Sequence, residues 1–80
     1  MKLARDISGQ DLCASLSKIG YEITRQKGSH IRLSCKTKNG VHHITVPNHN
    51  PIKIGTLSAI LSEIATTLGI DKNELIEKLR

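Results

Sequence analysis

Histidine is the residue of this 80-residue chain best suited to chemistry at neutral pH, because an imidazole pKa near ~6.5 keeps both protonation states populated. One of the four histidines, His30, directly follows Gly28-Ser29 and is close in sequence to Arg25 and Lys27. RNA can be cleaved without a metal, because its 2′-hydroxyl is the nucleophile and needs only a base, an acid and positive charge near the phosphate. These residue types could supply all three. The alternative is an exposed turn histidine without a chemical role.

Positive charge is concentrated in the middle of the chain. Lys and Arg number 12 against 7 Asp and Glu, a formal net charge of +5, and no acid occurs between Glu22 and Glu63. That interval contains all the histidines, His30, His42, His43 and His49, and the basic residues Arg25, Lys27, Arg32, Lys36, Lys38 and Lys53. A segment of one sign attracts a phosphate backbone. A basic face that is merely solvated has the same composition.

The sequence indicates no metal site, no disulfide and no membrane span. Cys13 and Cys35 are not spaced as metal ligands, and the adjacent His42 and His43 point to opposite faces of a strand. We therefore expect no metal, no other cofactor and two buried free thiols. No apolar run approaches the ~20 residues of a membrane span, and the start, with Lys2, is not a signal peptide. We expect a cytoplasmic protein with no membrane partner.

The apolar periodicity predicts one helix, three strands and two further helices. Each predicted helix begins at a residue that can cap its free backbone N–H groups, and glycine ends the first two at Gly20 and Gly69. The predicted starts are Ser8 with Asp11, Thr56, and Asp71 with Glu74. This order predicts an α+β fold of two layers, α-β-β-β-α, with an extra short C-terminal helix. We treat residues 1–80 as one domain, with a core of about 8–70 and 71–80 as the addition.

The second predicted hairpin turns at Asn39-Gly40, a pair that tolerates the positive φ of a type I′ turn. Pairing Lys38 with Val41 sets Lys36 beside His43 on the outer, polar face. On the inner face it gathers apolar residues from both strands, namely Ile31, Leu33, Cys35, Ile44 and Val46.

The first predicted hairpin needs a three-residue loop of Gly28, Ser29 and His30. That loop sets Lys27 opposite Ile31, and it keeps Tyr21 and Ile23 on the apolar face. His30 is then expected at the rim of the sheet instead of within a strand.

Three segments together resemble the HicA family of toxin–antitoxin mRNA interferases. They are Arg25-Gln26-Lys27-Gly28-Ser29-His30, then Thr45-Val46-Pro47 with His49, and Gly55-Thr56-Leu57. The likeness covers about residues 8–70. It implies a fold similar to double-stranded RNA-binding domains, RNA cleavage by the histidine of the Gly-Ser-His motif, which is His30 here, and neutralisation by a HicB antitoxin.

The remaining site predictions follow from that chemistry. Gly28 and Ser29 are expected at the phosphate, and Arg25 or Lys27 at the developing charge. His49 is a possible second proton-transfer group or a plain loop residue. Further RNA contacts are predicted at Arg32, Lys36 and His43. Two alternatives remain at this point, a non-catalytic RNA-binding module and a protein-interaction module of the same fold.

Overall fold

The computed structural model describes residues 6–79, so Lys2 and Arg80 lie outside the described part. Three helices and three strands occur there, in the predicted order. The helices are α1 (Gly9–Ser17), α2 (Ile54–Leu68) and α3 (Lys72–Leu79), and the strands are β1 (Glu22–Lys27), β2 (His30–Thr37) and β3 (Gly40–Pro47). The strands form one antiparallel sheet in the order β1-β2-β3. The α+β class and the α-β-β-β-α arrangement with an added C-terminal helix are confirmed.

Two helix starts are confirmed as predicted. The backbone N–H of Asp11 donates to the Ser8 hydroxyl at 3.0 Å, and the N–H of Ser8 donates to the Asp11 carboxylate. At α3, the N–H of Glu74 donates to Oδ1 of Asp71 at 2.7 Å. Gly69 ends α2 in the left-handed conformation, with φ at 71°. These signals are local, and they act within a single helical turn.

The predicted Thr56 cap of α2 is wrong. The helix begins at Ile54, and its N-cap residue, Lys53, makes no side-chain capping bond. The preceding Ile52 is buried, and its N–H donates to the carbonyl of Ile7 at 2.8 Å. This anchor fixes the chain immediately before α2, so tertiary packing sets the start of the helix in place of the capping preference.

The second hairpin turns one residue earlier than predicted. Thr37 pairs with Gly40, so the loop is Lys38-Asn39, and Gly40 takes the positive φ of 114°. The Thr37 hydroxyl donates to the carbonyl of Gly40 and accepts from the N–H of Asn39, which ties the chain at this point. The shift keeps every side chain on its predicted face. It moves His43, which lies opposite Ser34 and not beside Lys36.

The first hairpin corrects the predicted three-residue loop. Lys27 pairs with His30 across a two-residue Gly28-Ser29 turn, and His30 is the first residue of β2. In a regular ladder, a two-residue turn would place Tyr21 and Ile23 on the open face of the sheet. A β-bulge at Thr24, between the Ile23–Leu33 and Arg25–Arg32 pairs, returns them to the apolar face. A bulge inserts one residue into one strand and reverses the alternation beyond it.

The helices cover one face of the sheet. The inward residues Ile31, Leu33, Ile44 and Val46 are buried against apolar residues of the three helices, each contributing roughly 1.5–3 kcal/mol. These helix residues are Leu12 and Leu16 of α1, Leu57, Leu61 and Ile64 of α2, and Leu75 and Leu79 of α3. The opposite face stays open to solvent and carries polar and basic side chains.

The two apolar residues expected inward on the first strand behave differently. Tyr21 is buried, as predicted, whereas Ile23 is 57% exposed. Ile23 pairs with Leu33 and so lies on the helix side, but it borders an open groove between α1 and β1. An edge strand beside an open groove leaves such a residue in contact with water.

Candidate nucleic-acid interface

A shallow depression of about 370 Å³ lies at the turn end of the sheet's open face. Its walls are Arg25 and Lys27 of β1, His30 and Arg32 of β2, and Thr45 of β3. The strand pairing explains the set, because Lys27 pairs with His30, Arg25 with Arg32, and Arg32 with Thr45. The bulge matters here, since the predicted register, with Lys27 opposite Ile31, would have turned Arg25 and Lys27 toward the helices.

The positive charges of this depression have no ion-pair partner among the described residues. Arg25 and Arg32 are both exposed and directly opposite each other, an arrangement that is unfavourable for like charges. Within residues 6–79, the carboxylate of Glu63 forms an ion pair with His42, and none forms one with Arg25, Arg32 or Lys27. The depression therefore has the electrostatic character of an anion-binding surface.

The turn that ends at His30 is held from one side. Gly28 has a φ of 58°, which a glycine adopts without steric cost, and a Cβ there would meet no atom within 4 Å. The backbone N–H of Asn48 donates to the carbonyl of Ser29 at 2.7 Å. The turn is thus open on its outer side and fixed to the loop that follows β3.

His49 lies in that same loop, and its side chain is exposed. Its carbonyl accepts from the N–H of Gly9 at 2.9 Å, so the loop is fixed to the start of α1 as well as to the turn. His49 is not among the residues that line the His30 depression.

Two other predicted contact residues share the open face but lie outside the depression. Lys36 is exposed near the other end of β2, opposite Val41. His43 is exposed on β3, where its Nδ1 lies 2.6 Å from the hydroxyl oxygen of Ser34. The predicted residues therefore divide into a group around His30 and two positions farther along the sheet.

A comparison with protein families identifies the chain. The family model described as HicA toxin of bacterial toxin-antitoxin matches residues 9–65, more than half of the 80 residues. The chain belongs to the HicA toxin family. It is therefore a toxin of a toxin–antitoxin system, with an antitoxin as its partner. No curated protein and no solved structure gives a significant match.

The HicA match covers α1, the whole sheet and α2 as far as Ala65. The helix α3 lies beyond it, and its Leu75 and Leu79 are fully buried in the core. The added C-terminal helix therefore packs as an integral part of the described structure. No helix within residues 6–79 is long and apolar enough to cross a membrane.

Sequence reasoning missed one polar cluster of this HicA chain. The hydroxyl of Tyr21 lies 2.8 Å from Nδ1 of His42, and Nε2 of His42 lies 2.9 Å from Oε2 of Glu63. A neutral His42 protonated at Nε2 accepts from Tyr21 and donates to Glu63, which satisfies all three groups. Burial, with smaller contributions from Cys35 and Glu63, raises the pKa of Tyr21 to about 12.

The alternation of inward and outward side chains along β3 was the indication of this cluster in the sequence. His42 shares the inward alternation of Ile44, and it is half-buried on β3, at the edge of the sheet. Its partners were not accessible from the sequence, because Tyr21 and Glu63 each lie 21 residues away.

The remaining chemical groups show no metal arrangement. Among residues 6–79, no group of three or more His, Cys, Asp or Glu side chains could hold a metal ion. Cys13 and Cys35 are buried free thiols, as predicted, and burial raises the pKa of Cys13. A protonated, buried thiol is a poor nucleophile.

Proposed function

We propose that this HicA toxin is an endoribonuclease that cleaves mRNA without a metal ion, with His30 transferring protons. The observation that supports this function best is the depression that joins His30 to Arg25, Lys27 and Arg32 on an open face. An exposed imidazole can accept and donate protons near neutral pH. Three neighbouring cations stabilise the negative charge that develops on a phosphate during the reaction.

The proposed reaction uses the RNA's own hydroxyl as the nucleophile. His30 accepts the proton of the ribose 2′-hydroxyl as its oxygen attacks the adjacent phosphorus. The bond between the 2′-oxygen and phosphorus forms, and the bond from phosphorus to the 5′-oxygen of the next nucleotide breaks. An acid gives a proton to that departing oxygen. The products are a 2′,3′-cyclic phosphate and a free 5′-hydroxyl.

The residues around His30 have distinct roles in this proposal. Arg25, Lys27 and Arg32 bind the scissile phosphate and its neighbours. Gly28 allows the RNA backbone to approach the turn, and Ser29 donates a hydrogen bond to a phosphate oxygen. The more distant Lys36 and His43 contact the strand away from the cleavage site.

His49 is the proposed acid for the departing oxygen. The loop that carries it is tied to the Ser29 carbonyl through Asn48, so both histidines belong to the same end of the molecule. Loss of an acid alters the pH dependence of kcat. The variant His49→Ala should therefore change that pH profile, and an unchanged profile would remove His49 from the mechanism.

The proposed partner is a HicB-like antitoxin that covers the His30 depression with an acidic surface. Charge complementarity with Arg25 and Arg32 would both speed association and exclude RNA. The toxin is proposed to act in the cytoplasm, where its RNA substrate is found. A purified toxin–antitoxin complex should fail to bind a labelled oligoribonucleotide, and a complex that still binds it would contradict this arrangement.

The deciding experiment compares wild type with His30→Ala in the presence of EDTA. Removing a proton-transfer residue should lower the cleavage rate about 10²- to 10⁴-fold. Binding of a non-cleavable 2′-deoxy oligonucleotide, followed by fluorescence anisotropy, should be nearly unchanged. Lys78→Ala, on the exposed side of α3, is the control and should cleave as wild type does. Undiminished cleavage by His30→Ala refutes the assignment, and a wild type that binds without cleaving is an RNA-binding module.

A further inference from the structure

The open face carries a second depression that adjoins the first. It has a volume of about 770 Å³ and lies between β3 and α2, where its polar walls include His43 and Thr56. Arg32 and Thr45 line both depressions, whereas His30 lines only the first and His43 only the second. The two therefore form one continuous path across the sheet, with Arg32 and Thr45 at its middle.

His43 is held in place in the second depression. Its Nδ1 lies 2.6 Å from the Ser34 hydroxyl, a short hydrogen bond between cross-strand partners. When Ser34 donates to Nδ1, the proton of the neutral ring is on Nε2. The outer nitrogen of His43 is then a hydrogen-bond donor without any change of protonation, which is the property required to bind a phosphate.

His43 is too far from His30 to act on the same phosphodiester. Ser34, the partner of His43, is four residues along β2 from His30, a separation of about 13 Å at roughly 3.3 Å per residue. Side chains stand nearly perpendicular to a sheet, and Arg32 and Thr45 occupy the row between the two histidines. A catalytic group must reach its proton directly or through one water.

We infer that Ser34 and His43 form a second phosphate subsite, and that the RNA strand crosses the sheet from His30 past Arg32 to His43. This inference rests on the proposed ribonuclease function. A span of about 13 Å corresponds to at most about four nucleotides at a stacked rise of ~3.4 Å, and to fewer in an extended strand. Glu63 also lines the second depression, and its negative charge disfavours a phosphate beside it.

The subsite predicts that substrate length controls affinity on one side of the cleavage position. DNA oligonucleotides with a single ribonucleotide fix the cleavage position, and they can be lengthened one nucleotide at a time in either direction. For wild type, KM should fall when about two to four nucleotides are added on one side, and then remain constant. His43→Ala should lose that fall, about 2- to 10-fold in KM, and keep kcat on the shortest substrate.

Two variants separate a donor role from a general loss of structure. His43→Gln places an amide donor near the position of Nε2 and should recover part of the length effect. Ser34→Ala removes the hydrogen bond that holds the His43 ring, and it should lose part of the length effect. Val41→Ala, two residues away on the same strand and face, is the control and should behave as wild type does.

The outcomes distinguish this inference from the proposed function. Cleavage with no dependence on length, or an unchanged length effect in His43→Ala, overturns the subsite and leaves the ribonuclease intact. A large loss of kcat by His43→Ala on the shortest substrate also overturns it. If wild type does not cleave, anisotropy with all-DNA oligonucleotides still tests the path, because only the longer strands should bind more weakly to His43→Ala.

Discussion

Arg25 and Arg32 face each other across β1 and β2, and within residues 6–79 no carboxylate forms an ion pair with either. Like charges in directly opposite positions destabilise a sheet. If the proposed function is right, a bound phosphate backbone would remove this repulsion, and RNA binding and sheet stability would be coupled at this pair. We therefore expect the free toxin to be less stable than a variant with one of these arginines replaced, and to bind RNA more tightly than that variant does.

Replacing Arg25 should therefore separate stability from affinity. We expect Arg25→Gln to raise the free energy of unfolding by about 0.2–1 kcal/mol at low salt. RNA binding should weaken, and the salt dependence of log Kd should decrease by about 0.7 for the lost phosphate contact. Urea unfolding and anisotropy titrations at several salt concentrations measure both effects. Lys78→Gln should change neither, and a destabilised Arg25→Gln would contradict the like-charge interpretation.

Much of the fold could be predicted because its determinants are local. The Ser8–Asp11 and Asp71–Glu74 caps and the glycine end of α2 act within a few residues. The alternation of Ile31 and Leu33 with Arg32 depends only on the period of two in a strand. These features together determine which face is apolar and which is basic.

The exact pairing could not be predicted, because it depends on contacts that are remote in sequence. The bulge at Thr24 arises from two requirements, a two-residue turn before His30 and the burial of Tyr21. Either one alone allows a regular ladder. The turn at Lys38-Asn39 is likewise set by the Thr37 hydroxyl, and not only by the positive φ of Gly40.

In the candidate site, too, some features follow from the local sequence and others from contacts that are remote in sequence. The Gly28-Ser29-His30 motif lies at the end of the sheet where the depression is found. The cations that surround His30 there were predicted by type, but the predicted register would have separated them from it. The position of His43 beside Ser34 also required the observed register.

Two single-residue deletions test the role of the bulge. Deleting Thr24 leaves a regular strand in which Arg25 still faces Arg32 and Ile23 still faces Leu33. Deleting Gln26 gives a strand of the same length in which Arg25 takes the inward place of Gln26, opposite Ile31. Both variants lose the bulge and the hydrogen bond from the Thr24 hydroxyl to the Arg32 carbonyl. They differ in the face on which Arg25 lies.

We expect the two deletion variants to have similar melting temperatures and different RNA affinities. The variant without Thr24 should bind RNA about as well as wild type, and the variant without Gln26 more weakly, since it lacks one cation on the open face. Anisotropy in a His30→Ala background gives the affinities without cleavage. Equal binding by both variants would show that the side on which Arg25 lies does not matter.

Gly9 should be irreplaceable for a steric reason. A Cβ at this position would lie 2.3 Å from the carbonyl oxygen of Pro47 and 2.8 Å from Cα of Asn48, both of them backbone atoms. Gly9→Ala must push α1 away from the loop that carries His49, and it should cost about 1–3 kcal/mol. Gly55→Ala is the matched control, because a Cβ there meets nothing within 4 Å. It should stabilise α2 by up to about 1 kcal/mol.

Urea unfolding of the two glycine variants measures this difference directly. A Gly9→Ala protein as stable as wild type would mean that the loop after β3 moves without loss of stability. In that case His49 would not be held in position by α1, and its proposed role would lose its structural basis.

The burial of Tyr21 should make the fold sensitive to alkali. Burial raises the pKa of Tyr21 from 10.0 to about 12 in the folded chain. The unfolded chain therefore loses this proton first, so the stability contributed by the protonated tyrosine is present below pH 10 and lost as the pH rises toward 12. Tyr21→Phe has no such proton, and it leaves Nδ1 of His42 without its partner.

At pH 8, Tyr21→Phe should be less stable than wild type by about 0.5–1.5 kcal/mol, the contribution of one hydrogen bond. At pH 11, wild type should have lost roughly 1.4 kcal/mol more than the variant, because one pKa unit corresponds to that free energy. The two proteins should then have nearly equal stability. Urea unfolding at both pH values tests this, with Asn73→Ala as the control, since Asn73 is exposed on α3 and has no ionisable side chain. Parallel losses in wild type and Tyr21→Phe would show that Tyr21 does not control the alkaline transition.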